Sequence, residues 1–150
     1  MMKSRILMGM GLLGVAGMAL AAPADQVKIR VSGYKALGAA YKSVNDSLRS
    51  GSPDGATIQR AAGQIRNASR EQYKWFPVGS GPQAGVKTAA QPAIWARAPE
   101  FRAAQDAFAR QADAFQKVAA TNDFAAIKAE SRKLGAACKG CHDNFRAEDD

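Results

Sequence analysis

Histidine, cysteine and methionine are scarce in this 150-residue chain, and each shortage excludes something. There is one histidine, His142, and there are two cysteines, Cys138 and Cys141. Three candidate ligands fall short of the four that a structural zinc site wants. All five methionines (Met1, Met2, Met8, Met10 and Met18) precede residue 19, so no thioether side chain follows them. No stretch carries a convincing strand pattern, which removes the strand-helix setting of a thioredoxin-type dithiol. Lysine and arginine outnumber the acids, 21 to 13, yet no Arg-rich block gathers them, so the footprint of a nucleic-acid binder is missing.

What is present begins with an export signal. Lys3 and Arg5 precede the apolar run Ile6 to Leu20, which ends in the small residues Ala19-Leu20-Ala21-Ala22-Pro23-Ala24. A charged start, an apolar middle and an A-x-A ending mark a secretory signal peptide. The run is diluted by glycine and shorter than the roughly 20 residues of a membrane span. We therefore expect residues 1–21 to be removed, with cleavage as late as Ala24 fitting equally well. Residues 22–150 remain, enough for one domain with a single core. The formal charge then falls from +8 to +6 with the loss of Lys3 and Arg5.

Four stretches of the remaining chain have helical periodicity. The first, about 25–49, places Val27, Val31, Tyr34, Gly38, Tyr41 and Leu48 on one stripe. Ser50 to Gly55 is a turn by composition. The second helix, about 56–75, buries Ile58, Ala62, Ile65, Gln72 and either Ala68 or Ser69, with Arg60, Arg66 and Arg70 facing outward. A long connection rich in proline and glycine follows, about 76–98. Pro99 suits the first turn of a third helix whose Phe101, Phe108 and Phe115 recur at heptad spacing. Thr121-Asn122-Asp123 offers the cap of a fourth helix, which carries Phe124, Ile127, Leu134, Cys138, Cys141 and Phe145. Two short links and one long one predict an all-α fold, an antiparallel four-helix bundle with a long crossover between helices 2 and 3.

The chemistry sits in the last helix, at Cys138-Lys139-Gly140-Cys141-His142. Cys-x-x-Cys-His is the attachment sequence for haem c. Each sulfur forms a thioether to a porphyrin vinyl group, and the histidine takes one axial position on the iron. On a helix, residues three and four apart project from one face, so the three side chains reach the same porphyrin. Attachment of haem c outside the bacterial cytoplasm agrees with the export signal, so a periplasmic protein free of the membrane is expected. The opposite axial position has no obvious occupant. The one histidine is already used, and no methionine remains. Lysine and tyrosine would first have to lose protons whose ordinary pKa values lie near 10. An open or water-exchangeable position that admits small diatomic gases is expected.

With these residues in view, the chain resembles the cytochromes c′, the class II c-type cytochromes, over essentially all of 22–150. The likeness is strongest in the C-terminal motif, Cys138-Lys139-Gly140-Cys141-His142-Asp143-Asn144-Phe145-Arg146. Arg30-Val31-Ser32-Gly33-Tyr34-Lys35 is similar to the family's first-helix arginine followed, four residues later, by the distal residue. Val86-Lys87-Thr88, with Pro92 and Trp95, is similar to its crossover. The resemblance implies that Tyr34 covers the open face of the iron and that Arg30 pairs with a haem propionate. It places Thr88 near the haem edge and Arg146 beside the proximal ligand. Low-spin relatives have Met where this chain has Tyr34, so a five-coordinate, high-spin iron is implied. Val31 departs from the Gln that many members use as a second propionate contact. NO and CO binding, one-electron exchange with unknown periplasmic partners and a homodimer through the first two helices are also implied, with no catalytic residue and no enzymatic activity. Two other readings stay open: a six-coordinate low-spin electron carrier using an unexpected ligand such as lysine, and a non-haem periplasmic dithiol or metal-binding protein.

Overall fold

The structure, a computed structural model, describes residues 22–148; the export-signal reading falls on residues outside them. Helix α1 (Pro23–Arg49) starts on a proline, whose fixed φ suits a first turn and whose missing N–H would have had no helical partner. It ends where the Ser50 N–H closes onto the carbonyls of Asp46 and Ser47. Helix α2 (Gly55–Glu71) is capped by Asp54, whose carboxylate accepts from the Ala56 N–H at 3.0 Å. It runs on into a 3-10 turn, Gln72–Lys74. After the crossover come a short helix, α3 (Ala93–Ala96), then α4 (Ala98–Ala119) and α5 (Phe124–Phe145). Pro99 lies in the first turn of α4, and Asp123 caps α5 by accepting from the Ala126 N–H, as the sequence predicts. Among the described residues there is no strand, only one isolated bridge between Ala90 and Arg146.

Helix α2 packs on α1 and α4, and α4 packs on α5, whereas α1 and α5 barely touch. Two apolar clusters fill the bundle. The larger joins Ala40, Val44, Ile58, Ile65, Phe115 and Ile127 with their neighbours, many of them alanines. The smaller, around Ile94, Phe101 and Phe145, lies beneath the crossover. Cys138 packs against the first cluster and Cys141 against the second, so the motif straddles the division.

One expectation needs correction, and the crossover adds a detail of its own. Val31 is exposed, and its neighbour Arg30 is buried in its place. A step of one residue turns a helix by about 100°, so the buried stripe of α1 runs through Val27, Arg30, Ala40 and Val44. The crossover is also less irregular than its composition suggests, carrying a 3-10 turn at Pro82–Ala84 as well as α3. Gly33 shows how closely the end of the 3-10 turn after α2 meets α1. A Cβ at that position would lie 2.4 Å from Cζ2 of Trp75, a rigid and buried ring. Gly33→Ala is expected to lower stability by about 1–3 kcal/mol, the usual cost of overpacking. The denaturant midpoint of the variant checks this, and an unchanged midpoint would contradict the close approach.

Candidate haem site

The site is built where α1 and α5 stand apart. A slot of about 270 Å³ opens there, lined by Leu37, Gly38 and Tyr41 of α1, Ile65, Phe108, and Leu134, Gly135, Cys138 and His142 of α5. Gly135 lets the Tyr41 ring cross the slot, since a Cβ there would come within 2.5 Å of the phenol oxygen. That phenol donates to the Ser131 carbonyl at 3.0 Å. The walls are almost wholly apolar, the surface a porphyrin face needs.

Cys138 and Cys141 are half-buried free thiols. Burial pushes both thiol pKa values up, that of Cys141 to about 11 with a further push from Cys138. Reactive dithiols have depressed values, the opposite direction. Among the described residues, no three His, Cys, Asp or Glu side chains converge to hold a metal ion. The imidazole of His142 is held below its ordinary pKa by partial burial first and by the Arg146 charge second, against a smaller opposing effect of Asp143. That favours the neutral ring, the form that ligates iron. An apolar slot lined by Cys138 and His142, with Cys141 one turn further along the same helix, fits haem c.

Tyr34 is half-buried on α1, edge-on to Trp75 at a ring separation of 4.9 Å and 6.1 Å from Phe76. Burial drives its phenol pKa well above the ordinary value, and the thiols of Cys141 and Cys138 lie near enough to add to the rise. The tyrosine and the attachment motif thus meet in one region, and its proton stays on through physiological pH.

Arg30, only 3% exposed, extends under the crossover. Its guanidinium donates to the Trp75 carbonyl and to Ser80 Oγ, both at 3.1 Å, and to the Ser80 carbonyl and Thr88 Oγ1, both at 2.8 Å. It also lies over the Phe76 ring, 4.8 Å from its centre. Its pKa is lowered by burial, partly offset by Tyr34. These acceptors are all neutral, so Arg30 and Thr88 are brought together as a clamp on the crossover. Arg146 lies just past the end of α5. Its N–H donates to the His142 carbonyl at 3.1 Å, and its own carbonyl accepts from the Gln91 side chain at 2.9 Å. Sequence reasoning missed Trp75, Phe76 and Ser80 as parts of the site. Gln72 it placed on a buried face without seeing what it touches. Ser80 gives no signal at all, being one polar residue in a loop of similar ones.

A helical bundle whose last helix presents a Cys-x-x-Cys-His sequence to an apolar slot defines a c-type haem protein. The chain belongs to the cytochrome c′ family: the family profile described as Cytochrome C′ matches residues 25–146. A cytochrome c′ of Rubrivivax gelatinosus is 34% identical over 125 residues, which cover 83% of this chain and 95% of the relative. The fold matches a cytochrome c′ described as having an unusual ligand-controlled dimer dissociation, with a TM-score of 0.80 and 26% identity, covering 87% of this chain and all of the other. It also matches the nitric oxide complex of a point variant of Alcaligenes xylosoxidans cytochrome c prime, with a TM-score of 0.78, 26% identity and the same coverage. The cofactor is haem c, and Cys138 to His142 is the chain's attachment sequence. No helix among the described residues is long and apolar enough to cross a membrane.

Proposed function

We propose that this is an exported, periplasmic haem c protein that binds NO and CO at a high-spin, five-coordinate iron and can also pass single electrons. Residues 1–21 would direct export, with cleavage no later than residue 24. Cys138 and Cys141 would tether the porphyrin, and His142 would hold the iron from the proximal side. Haem bound there would supply the iron at which a diatomic gas can bind and from which an electron can be exchanged. The observation that carries this reading is the ligand inventory of the chain: one imidazole, in the attachment motif beside the slot, and no second residue of an ordinary haem-ligating kind. Neither methionine nor a second histidine exists among the described residues to close the opposite face.

The remaining residues have supporting work. Tyr34 stands over the open face and limits the space a gas can enter. Arg30 is a buried cation without a carboxylate among its hydrogen-bond partners, which suits a haem propionate as its counter-charge. Thr88, held on Arg30, lies at the same edge. Arg146 adds positive charge beside His142. The ligand-controlled dimer dissociation of one neighbour supports a homodimer here, and the family resemblance implies that it forms through α1 and α2.

Absorption spectroscopy of the reduced protein tests the core of the proposal. A broad high-spin Soret band that CO shifts strongly is expected. Narrow, split visible bands indifferent to CO would replace this reading with the six-coordinate carrier. Replacing Tyr34 with alanine is expected to speed CO association at least tenfold, on the order of the barrier of about 1.4 kcal/mol that one bulky side chain imposes. Unchanged flash-photolysis kinetics would remove Tyr34 from the gas path.

A further inference from the structure

Gln72 sits where α2 passes into its 3-10 turn, 3% exposed, with the equally buried Gln105 of α4 against it. Its amide nitrogen donates to the Ser69 carbonyl at 3.1 Å and to the Gln105 carbonyl at 3.3 Å. Gln105 returns a bond from its own amide to the Gln72 carbonyl, also at 3.3 Å. Both partners of the Gln72 nitrogen are carbonyls, which can only accept, so the amide cannot be reversed without losing both bonds. Its oxygen is therefore left facing Tyr34, whose hydroxyl donates to it at 3.4 Å. No buried side-chain nitrogen or oxygen among the described residues goes without a partner, and Tyr34 is the donor that satisfies this one.

A phenol has one proton. If the Gln72 oxygen holds it, nothing of Tyr34 but ring and lone pairs can be offered elsewhere. We propose that Gln72 is a positioning residue for gas selection: it keeps the Tyr34 proton away from whatever binds opposite His142. This rests on the reading of Tyr34 as the cover of the open face. A ligand there meets the tyrosine as bulk and not as a hydrogen-bond donor. Gases that gain charge on their outer atom when bound depend on such a donor, and those that do not are favoured by its absence. Selectivity is thereby set from α2, by a residue that touches no gas itself.

The infrared C–O stretch of the CO adduct of the haem-loaded protein reads this directly. A donor to the CO oxygen draws electrons from iron into the antibonding orbital and lowers the stretch. Gln72→Met, close in volume but without an acceptor, is expected to lower the C–O stretch as the freed hydroxyl turns to the ligand. Tyr34→Phe alone is expected to leave it where it is, and Tyr34→Phe added to Gln72→Met to restore it. Thermal melts alongside separate this from loosened packing, which Tyr34→Phe would not reverse. A parent adduct with an unshifted stretch in Gln72→Met, or a shift in Tyr34→Phe alone, overturns the role of Gln72. Failure of the parent to bind CO at all is a different result, and it overturns the open face together with everything built on it.

Discussion

Protein exported with Cys138→Ala and Cys141→Ala is expected to yield haem-free chains in acidified organic solvent and to unfold without a sharp transition. Thioethers survive such extraction, whereas a lone imidazole bond does not, so covalent retention of haem is the first readout. The second follows from packing. Without its cofactor the slot is about 270 Å³ of apolar-walled space. At ~24 cal/mol per Å³ an unfilled cavity of this size costs on the order of 6 kcal/mol. The slot opens to solvent, which makes that figure a ceiling, but water gains little from walls such as Leu37, Ile65, Phe108 and Leu134. From the other side, burying roughly 500 Å² of macrocycle contributes on the order of 10 kcal/mol. Both figures are comparable to the 5–15 kcal/mol net stability of a typical domain. A cooperative, native-like melt of the haem-free double variant would show that the bundle does not depend on what fills it.

Arg30→Met is expected to cost about 3 kcal/mol and to free the crossover. Methionine keeps the unbranched apolar stem but has none of the donors, and it lacks the guanidinium that lies over Phe76. Four hydrogen bonds to Trp75, Ser80 and Thr88 would be lost, and buried acceptors left without partners cost about 1–3 kcal/mol each, less when they can relax together. Arg30→Lys restores charge but not the planar fork, so it is expected to recover little. Hydrogen exchange should localise the damage, with protection falling across residues 75–88 while α4 and the first half of α5 hold. A variant as stable as the parent, or one that loses protection evenly, would remove Arg30 from its role as clamp.

These two sites also mark how far the sequence can be read. The attachment motif was legible because its chemistry is local: five consecutive residues on one helix need no tertiary information. The caps at Asp54 and Asp123 and the proline starts of α1 and α4 are local in the same sense. Only the Asp123 cap and Pro99 were read as such. The burial of Arg30 and its partners in the crossover were not legible, although the resemblance had singled the residue out. Its partners lie 45 to 58 residues away, and hydropathy alone turns α1 so that Val31 points inward. The helix itself offers little to resist that error, because its alanines and glycines mark no strong face. What decides the rotation is the set of acceptors that the crossover brings. Gln72 failed differently: its burial was visible, but which way an amide is turned depends on carbonyls from two helices.

The crossover settles one more matter. Its start is fastened to α1 through Arg30, and its later part to the end of α5, where Gln91 and Ala147 share backbone bonds with Phe145 and Ala89. Since α1 and α5 barely meet directly, the gap between them is spanned by a brace instead of being closed by contact. Clearance for a flat prosthetic group thus depends on that brace at one end and on the seams running from α1 through α2 and α4 to α5 along the rest.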